Sequence, residues 1–231
     1  SGVSGGSALI SYTAPSGCVA SVLVTVHPLL PVTGPASVCQ GSVITLSDAI
    51  SGGSWTTSDA LIAPVAALTG IVNGAAPGSA TISYTTAAGC VATKTVTVNP
   101  LNATTGNPTL CAGSTTLLHN TTPGGGTWSS LAPAIATVGS GSGRVTGMAA
   151  GSSAIRFTTT MGCVDDYIET VNPLPSAIVG ALSVCAGSTT TLSNALAGGT
   201  WSTSDISIAG VDASTGVLTG LIVNTVTVTY T

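Results

Sequence analysis

Charged side chains are almost absent from this 231-residue sequence. Only 3 residues are basic and 7 are acidic, so 4% of the chain is charged, whereas an ordinary soluble domain carries roughly 25%. Three cations cannot neutralise a run of phosphates, which excludes nucleic-acid binding through a basic surface. Two histidines and seven carboxylates leave little for acid–base catalysis, so we expect neither an enzyme nor a bound cofactor or metal.

Long uninterrupted apolar runs are also missing, although 44% of the residues are hydrophobic. The best candidate for a membrane span, residues 60–76, is interrupted by Pro64, Thr69 and Asn73 and falls short of the ~20 apolar residues required. We therefore expect no membrane span. The apolar content and the net charge of −4 argue against disorder, which needs low hydrophobicity and high net charge.

Four motifs recur with one period of about 73 residues. A [VL]CxGS motif places Cys39, Cys111 and Cys185, and a Gly-Cys pair places Cys18, Cys90 and Cys163. A GG[ST]W motif and an [HN]PL motif repeat at the same interval. This self-similarity is the signature of a repeat architecture.

Aligning the motifs divides the chain into four parts. Residues 32–101 (unit one) and 102–174 (unit two) are complete repeats, residues 175–231 (unit three) are a repeat that lacks its last strand, and residues 1–31 are the C-terminal remnant of a repeat. Residues 1–13 align with residues 219–231. The ends admit two interpretations. One is a window cut from a longer array, which the duplicated strand favours. The other is a subunit whose unit three receives the segment 18–26 of the next subunit.

Short alternating Val/Thr/Ile runs, such as residues 81–85 and 225–230, are separated by Gly-rich turns. This period-2 pattern predicts strands, and no stretch shows a helical apolar face. We predict an all-β chain of tandem Greek-key β-sandwiches, one for each 73 residues, arranged as an extended rod.

The order of motifs in unit two resembles a known family. Trp128-Ser-Ser is followed by ATV (136–138), GRVTG (143–147) and AGSSAI (150–155), which resembles the bacterial immunoglobulin-like domain of group 2. The added cysteines and NPLP-type linkers resemble the repeats of long Bacteroidetes surface and gliding adhesins. Unit one departs from the pattern in residues 62–74. The resemblance implies an immunoglobulin-like fold, an extracellular location and no catalytic residues.

Seven of the eight aromatic residues occupy two repeated positions. Rings that recur in this way are typical of a core rather than of a sugar-binding surface. We therefore predict that these seven form the cores: Trp55, Trp128, Trp201, Tyr12, Tyr84, Phe157 and Tyr230.

Six repeating cysteines without zinc-type CxxC spacing indicate disulfides formed in an oxidising, extracellular setting. The simplest scheme pairs Cys39 with Cys90 and Cys111 with Cys163 within each unit. In an immunoglobulin-like sandwich these positions lie at opposite poles, so a rival scheme joins Cys39 to Cys163 across the junction. The within-unit scheme leaves Cys18 and Cys185 for a neighbouring repeat or subunit.

Asp165, Asp166 and Glu169 form the one acidic cluster of the sequence. A calcium site needs six to eight oxygen ligands, and unit one has no matching carboxylates. We expect solvated charges at a sheet edge.

The sequence therefore predicts a structural or adhesive repeat protein that forms an extracellular stalk or filament with copies of itself. The alternative is a surface module that binds carbohydrates or a receptor through variable loops.

Overall fold

The computed structural model describes residues 5–231, and all of its named elements are strands. The predicted all-β class is confirmed. No helix able to cross a membrane occurs within the described range.

The N-terminal remnant forms a single antiparallel hairpin. Strands β1 (Gly6–Thr13) and β2 (Val19–Val26) pair over eight residues, from Gly6↔Val26 to Thr13↔Val19. All of β1 and seven of the eight residues of β2 are exposed. We call this element the N-terminal hairpin.

Unit one is a two-layer β structure. Its strands are β3 (Ser37–Cys39), β4 (Val43–Thr45), β5 (Ser54–Thr57), β6 (Ile71–Asn73), β7 (Gly78–Thr85) and β8 (Val91–Asn99). One sheet has the order β3-β8-β7-β5, with β3 parallel to β8, and the second pairs β4 with β6. The alternating burial of β7 and β8 turns one face of the first sheet toward a core around Trp55, Ile82 and Val96.

Unit two repeats this plan with one more strand. Its strands are β9 (Thr109–Cys111), β10 (Thr115–Leu117), β11 (Gly126–Ser130), β12 (Ala136–Val138), β13 (Arg144–Gly147), β14 (Gly151–Thr159) and β15 (Val164–Asn172). The sheets β9-β15-β14-β11 and β10-β13-β12 enclose a core around Trp128, Ile155 and Phe157. β9 is parallel to β15.

Unit three forms only part of the same plan. Its strands are β16 (Thr189–Thr191), β17 (Trp201–Thr203), β18 (Ala209–Val211), β19 (Val217–Gly220) and β20 (Val228–Tyr230). Residues 183–185 repeat the sequence of β3, Ser-Val-Cys, but are not a strand. β3 and β9 are held by β8 and β15, and unit three has no strand at that position.

A glycine positions the tryptophan in each unit. Gly70, Gly143 and Gly216 have φ near +70°, a conformation that other residues rarely adopt. A side chain at Gly70 would also collide with the Leu46 carbonyl and the Trp55 indole. The absence of a side chain at these glycines makes room for the indole.

Candidate functional site at the repeat junctions

The junction between unit one and unit two is crossed by a disulfide. Cys39 ends β3 beside Asn99, the last residue of β8 and the point where the chain leaves unit one. Cys163 immediately precedes β15, at the end of unit two where the chain enters. The two residues are bonded, with their α-carbons 5.7 Å apart. One covalent bond therefore joins the exit of one repeat to the entrance of the next.

The within-unit pairing predicted from the sequence is wrong. Cys39 lies beside the end of β8, whereas Cys90 precedes its beginning. The nine residues of β8, at roughly 3.3 Å each, separate the two positions by about 30 Å, and a disulfide needs α-carbons within about 7 Å. The same geometry separates Cys111 from Cys163. The rival junction scheme is the one in the structure.

Hydrogen bonds also hold the chain at the exit from unit one and at the entrance to unit two. The Gln40 amide donates to the Asn99 carbonyl at 2.8 Å. The Thr104 amide donates to Asp165 Oδ2 at 2.6 Å, and the Tyr167 hydroxyl donates to the Gly106 carbonyl at 2.8 Å. The linker is thus fastened to the last hairpin of the unit that it enters.

The acidic cluster divides into three separate roles, only one of which was expected. Asp166 is a half-exposed edge charge that forms two 2.7 Å hydrogen bonds with Arg156, and this guanidinium lowers the pKa of the carboxyl. Asp165 caps the linker at Thr104. Glu169 is fully buried, so its prediction as a solvated charge is wrong.

Glu169 lies inside the core of unit two, opposite Ser153 on β14. Neither of its carboxylate oxygens has a hydrogen-bond partner. Burial raises its pKa to about 7, because the charged form is poorly solvated there. The equivalent pair in unit one is Ala80 opposite Val96. Comparison of the two repeats could have revealed this paired change from apolar to polar residues.

The aromatic residues form three equivalent pairs, each a tryptophan and the ring opposite it. Trp55–Tyr84, Trp128–Phe157 and Trp201–Tyr230 have ring centroids 4.6, 4.8 and 4.6 Å apart. These six rings face the cores, with Tyr230 only partly buried. Tyr12 is the exception: its ring is 70% exposed, so its placement in a core is wrong for the chain by itself. The N-terminal hairpin has no tryptophan strand beside it.

Four thiols occupy the same repeated positions as the disulfide. Cys111 and Cys185 correspond to Cys39, and Cys18 and Cys90 correspond to Cys163. All four are unbonded, and three are exposed, Cys90 being half-buried. No group of three or more potential metal ligands occurs in residues 5–231.

Unit three has an open apolar cleft of about 620 Å³. We call this the unit-three cleft. Among its lining residues are Ile178, Val184, Leu192, Leu218, Val226 and Val228. It occupies the position of β8 and β15 in the complete units, between the equivalent of β3 and the equivalent of β7.

No protein-family model matches the chain, and no curated protein matches it. The resemblance to the bacterial immunoglobulin-like group 2 family therefore stays a prediction.

Several solved structures are similar to the chain. A C-terminal fragment of intimin, in complex with the intimin-binding domain of the translocated intimin receptor, is 18% identical over 67% of each chain, with a TM-score of 0.44. Domains 1–6 of the surface layer protein SbsC are 16% identical, with a TM-score of 0.30, and cover 99% of this chain. The chain spans only 43% of that structure.

A Bacteroides ovatus glycan-binding protein, SGBP-B in complex with a mixed-linkage heptasaccharide, is 14% identical over 79% of this chain and 57% of its own, with a TM-score of 0.24. At these identities and TM-scores, none of the three likenesses assigns an activity or a partner.

Proposed function

We propose that the chain is an extracellular structural and adhesive repeat element that forms a stalk or filament and carries load along its length. The observation that supports this is the Cys39–Cys163 disulfide between two successive repeats. A disulfide that served only the folding of one small domain would lie within it. This one instead joins neighbours, and disulfides persist in oxidising, extracellular settings.

The position of the disulfide changes how tension travels through the chain. When the ends are pulled, the shortest covalent path runs from Cys39 directly to Cys163. The two cysteines are 124 residues apart in the sequence, so the segment between them is removed from that path. Unfolding of unit one or unit two then adds little length, and the stalk resists extension even when a repeat opens.

Single-molecule pulling of the full chain through terminal peptide tags tests this function. A fully extended residue spans roughly 3.3–3.6 Å. The disulfide therefore keeps the 124-residue separation between the two cysteines, roughly 400 Å of contour length, out of the extended chain. We expect the reduced chain, or the Cys39→Ser/Cys163→Ser variant, to extend by that additional length. The Cys111→Ser variant, which removes an exposed thiol at the equivalent position of unit two, is the matched control and extends like the oxidised parent.

Equal extension of the oxidised and reduced chains would contradict the load-bearing role. Electron micrographs of the oxidised chain give a second reading, since a stalk element is an elongated particle. Binding of the chain to surface glycans, lost on substitution of the variable segments 61–74 and 131–143, would instead favour a recognition module.

A further inference from the structure

We propose that unit two contains a strap, residues 104–108, that closes one side of the sandwich over Glu169 and opens when this carboxyl loses its proton. The strap continues directly from the linker between unit one and unit two. Opening makes the junction of the proposed stalk more flexible at neutral pH than at acidic pH. That consequence rests on the proposed function, whereas the opening itself does not.

The strap connects the two sheets of unit two. Thr105 exchanges two backbone hydrogen bonds with His119, which follows β10 of the second sheet, at 2.9 and 2.8 Å. On the other side, the Thr170 amide of β15 donates to the Pro108 carbonyl at 2.8 Å. The strap therefore covers the gap between the sheets along this side of the unit.

The side of β15 that faces the strap is free of strand pairing along most of its length. β14 pairs with β15 over eight residues, whereas β9 pairs on the other side with residues 170–172 only. Along residues 164–169 the strap takes the place of a strand, and two inward-facing side chains of this segment, Asp165 and Tyr167, bond to it. The strap is thus fastened to the same face of β15 that carries Glu169.

Glu169 is the group in this row that has no partner. Its side chain is fully buried, and neither carboxyl oxygen forms a hydrogen bond. Its titratable neighbours on the same face are Asp165 and Tyr167. The basic residues of unit two lie outside its core: Arg144, Arg156 and His119. A negative charge at Glu169 is therefore uncompensated by any cation in the described part of the unit, and burial of an unpaired charge is costly.

Movement of the strap is the smallest change that lets water reach this carboxyl. Residues 104–108 belong to no strand and take part in one isolated bridge, at Thr105. Their displacement uncovers the inward face of β15 while β15 keeps its pairs with β14 and β9. The ionised carboxylate is then hydrated without unfolding of the unit.

Unit one has the same strap without the carboxyl. Residues 32–36 are the equivalent segment, and Thr33 exchanges backbone hydrogen bonds with Ser47 at 2.8 and 3.0 Å. Val96 stands in the place of Glu169 and is fully buried in an apolar core. The chain therefore contains a matched strap that has no proton to lose.

Hydrogen exchange of single amides, measured by ¹⁵N NMR of the full chain from pH 5 to 8, tests the strap. Protection of the Thr105 and His119 amides, corrected for the intrinsic exchange rate at each pH, should fall about tenfold for each pH unit up to pH 7 and then level off. Burial raises the pKa of Glu169 to about 7 from 4.5, which limits the total change to roughly 300-fold. The Thr33 and Ser47 amides of unit one should keep their protection.

Two variants remove the proton and two controls keep it. Glu169→Gln retains the shape of the side chain but cannot ionise, and Ser153→Ala/Glu169→Val introduces the apolar pair of unit one. Both should abolish the pH dependence of Thr105 protection. His119→Ser removes the imidazole beside the strap and supplies the residue of unit one, and Asp166→Asn removes a carboxyl from the outward face of β15. Both controls should retain the pH dependence.

Low concentrations of urea separate opening of the strap from unfolding of unit two, because opening exposes little surface and unfolding exposes much. We expect exchange of the Thr105 amide to be nearly independent of urea, whereas exchange of the β14 amides should accelerate steeply.

Equal rates and equal urea dependence of the Thr105 and β14 amides would show that the unit opens only as a whole and would overturn the strap. A pH dependence that persists in Glu169→Gln, or disappears in His119→Ser, would overturn the assignment to Glu169. The hidden length measured by pulling depends on the disulfide and not on Glu169, so failure of the strap is distinguishable from failure of the stalk function.

Discussion

Units one and three have nearly the same framework residues but different structures. β3, Ser37–Cys39, is a strand in unit one, whereas residues 183–185, with the same Ser-Val-Cys sequence, are not. β7 pairs with β8 over eight residues, whereas its counterpart β20 is three residues long. Unit one has the strand β8, for which unit three has no equivalent.

The comparison shows that strand formation here depends on the neighbouring strand more than on local preference. Thr- and Val-rich segments favour extended backbone, but strand preference is largely a matter of cross-strand packing and burial. Without the equivalent of β8, Val184 and Val228 are only partly buried and the cleft between them stays open. A repeat of about 73 residues therefore needs its last strand to close its core.

The largest expected effect is the loss of stability when a core side chain is truncated. It should be larger in unit one, which is complete, than in unit three. Ile82→Ala removes a fully buried side chain and should destabilise unit one by about 2–5 kcal/mol. Val228→Ala, at the equivalent half-buried position of unit three, should cost less than about 1 kcal/mol. Hydrogen exchange of peptides from each unit measures both changes, and equal losses would break the comparison.

Reduction of the Cys39–Cys163 disulfide should lower the stability of units one and two by a similar amount and leave that of unit three unchanged. Reduction of Cys39–Cys163 should destabilise units one and two by about 2–4 kcal/mol, while unit three, in which no disulfide occurs in this chain, is unaffected. Thermal melts with and without reductant, assigned to units by exchange at each temperature, provide the measurement. A uniform decrease of stability in all three units would contradict an effect of the disulfide that is confined to units one and two.

Glu169 should make the stability of unit two depend on pH, whereas unit one has no such buried carboxyl and its stability should not. Its folded pKa of about 7 lies above the ordinary value of 4.5, so the folded state keeps the proton between these values while the unfolded state releases it. Stability is therefore highest below pH 4.5, falls between pH 4.5 and 7, and levels off above pH 7. The total loss should be at most roughly 3 kcal/mol.

Urea titrations from pH 4 to 8, followed by Trp128 fluorescence in a Trp55→Phe/Trp201→Phe background, measure this dependence. The double variant Ser153→Ala/Glu169→Val, which places in unit two the residues that unit one has at these positions, should abolish the pH dependence. A slope that persists in that double variant would assign the effect to another titratable group.

The smallest effect concerns the tyrosine hydroxyl. Tyr84 donates to the Ile50 carbonyl at 2.6 Å and accepts from the Gly53 amide at 2.8 Å. Tyr84→Phe should cost about 1 kcal/mol in unit one. Tyr230→Phe removes the same contacts to Leu196 and Gly199 from a more exposed site, and its cost in exchange experiments should be smaller.

Much of the fold could be predicted because it rests on local pattern. The period-2 runs mark the strands, and the glycine turns separate them. The recurrence of tryptophan opposite a second ring identifies six side chains that face the cores. Burial of Glu169 could not be predicted from its type, since carboxylates are almost never fully buried. It follows from its position in the alternation of β15.

The sequence by itself determines the repeat, the strands and the residues that face each core, because alternation and spacing are properties of the chain. The tertiary structure decided which cysteines meet. Cys39 and Cys90 are the nearer pair along the chain, but a strand of nine residues holds them at opposite ends of unit one. Cys39 and Cys163 are 124 residues apart, yet both lie at one junction. Disulfide pairing depends on distance in space, and here the length and direction of the last strand set that distance.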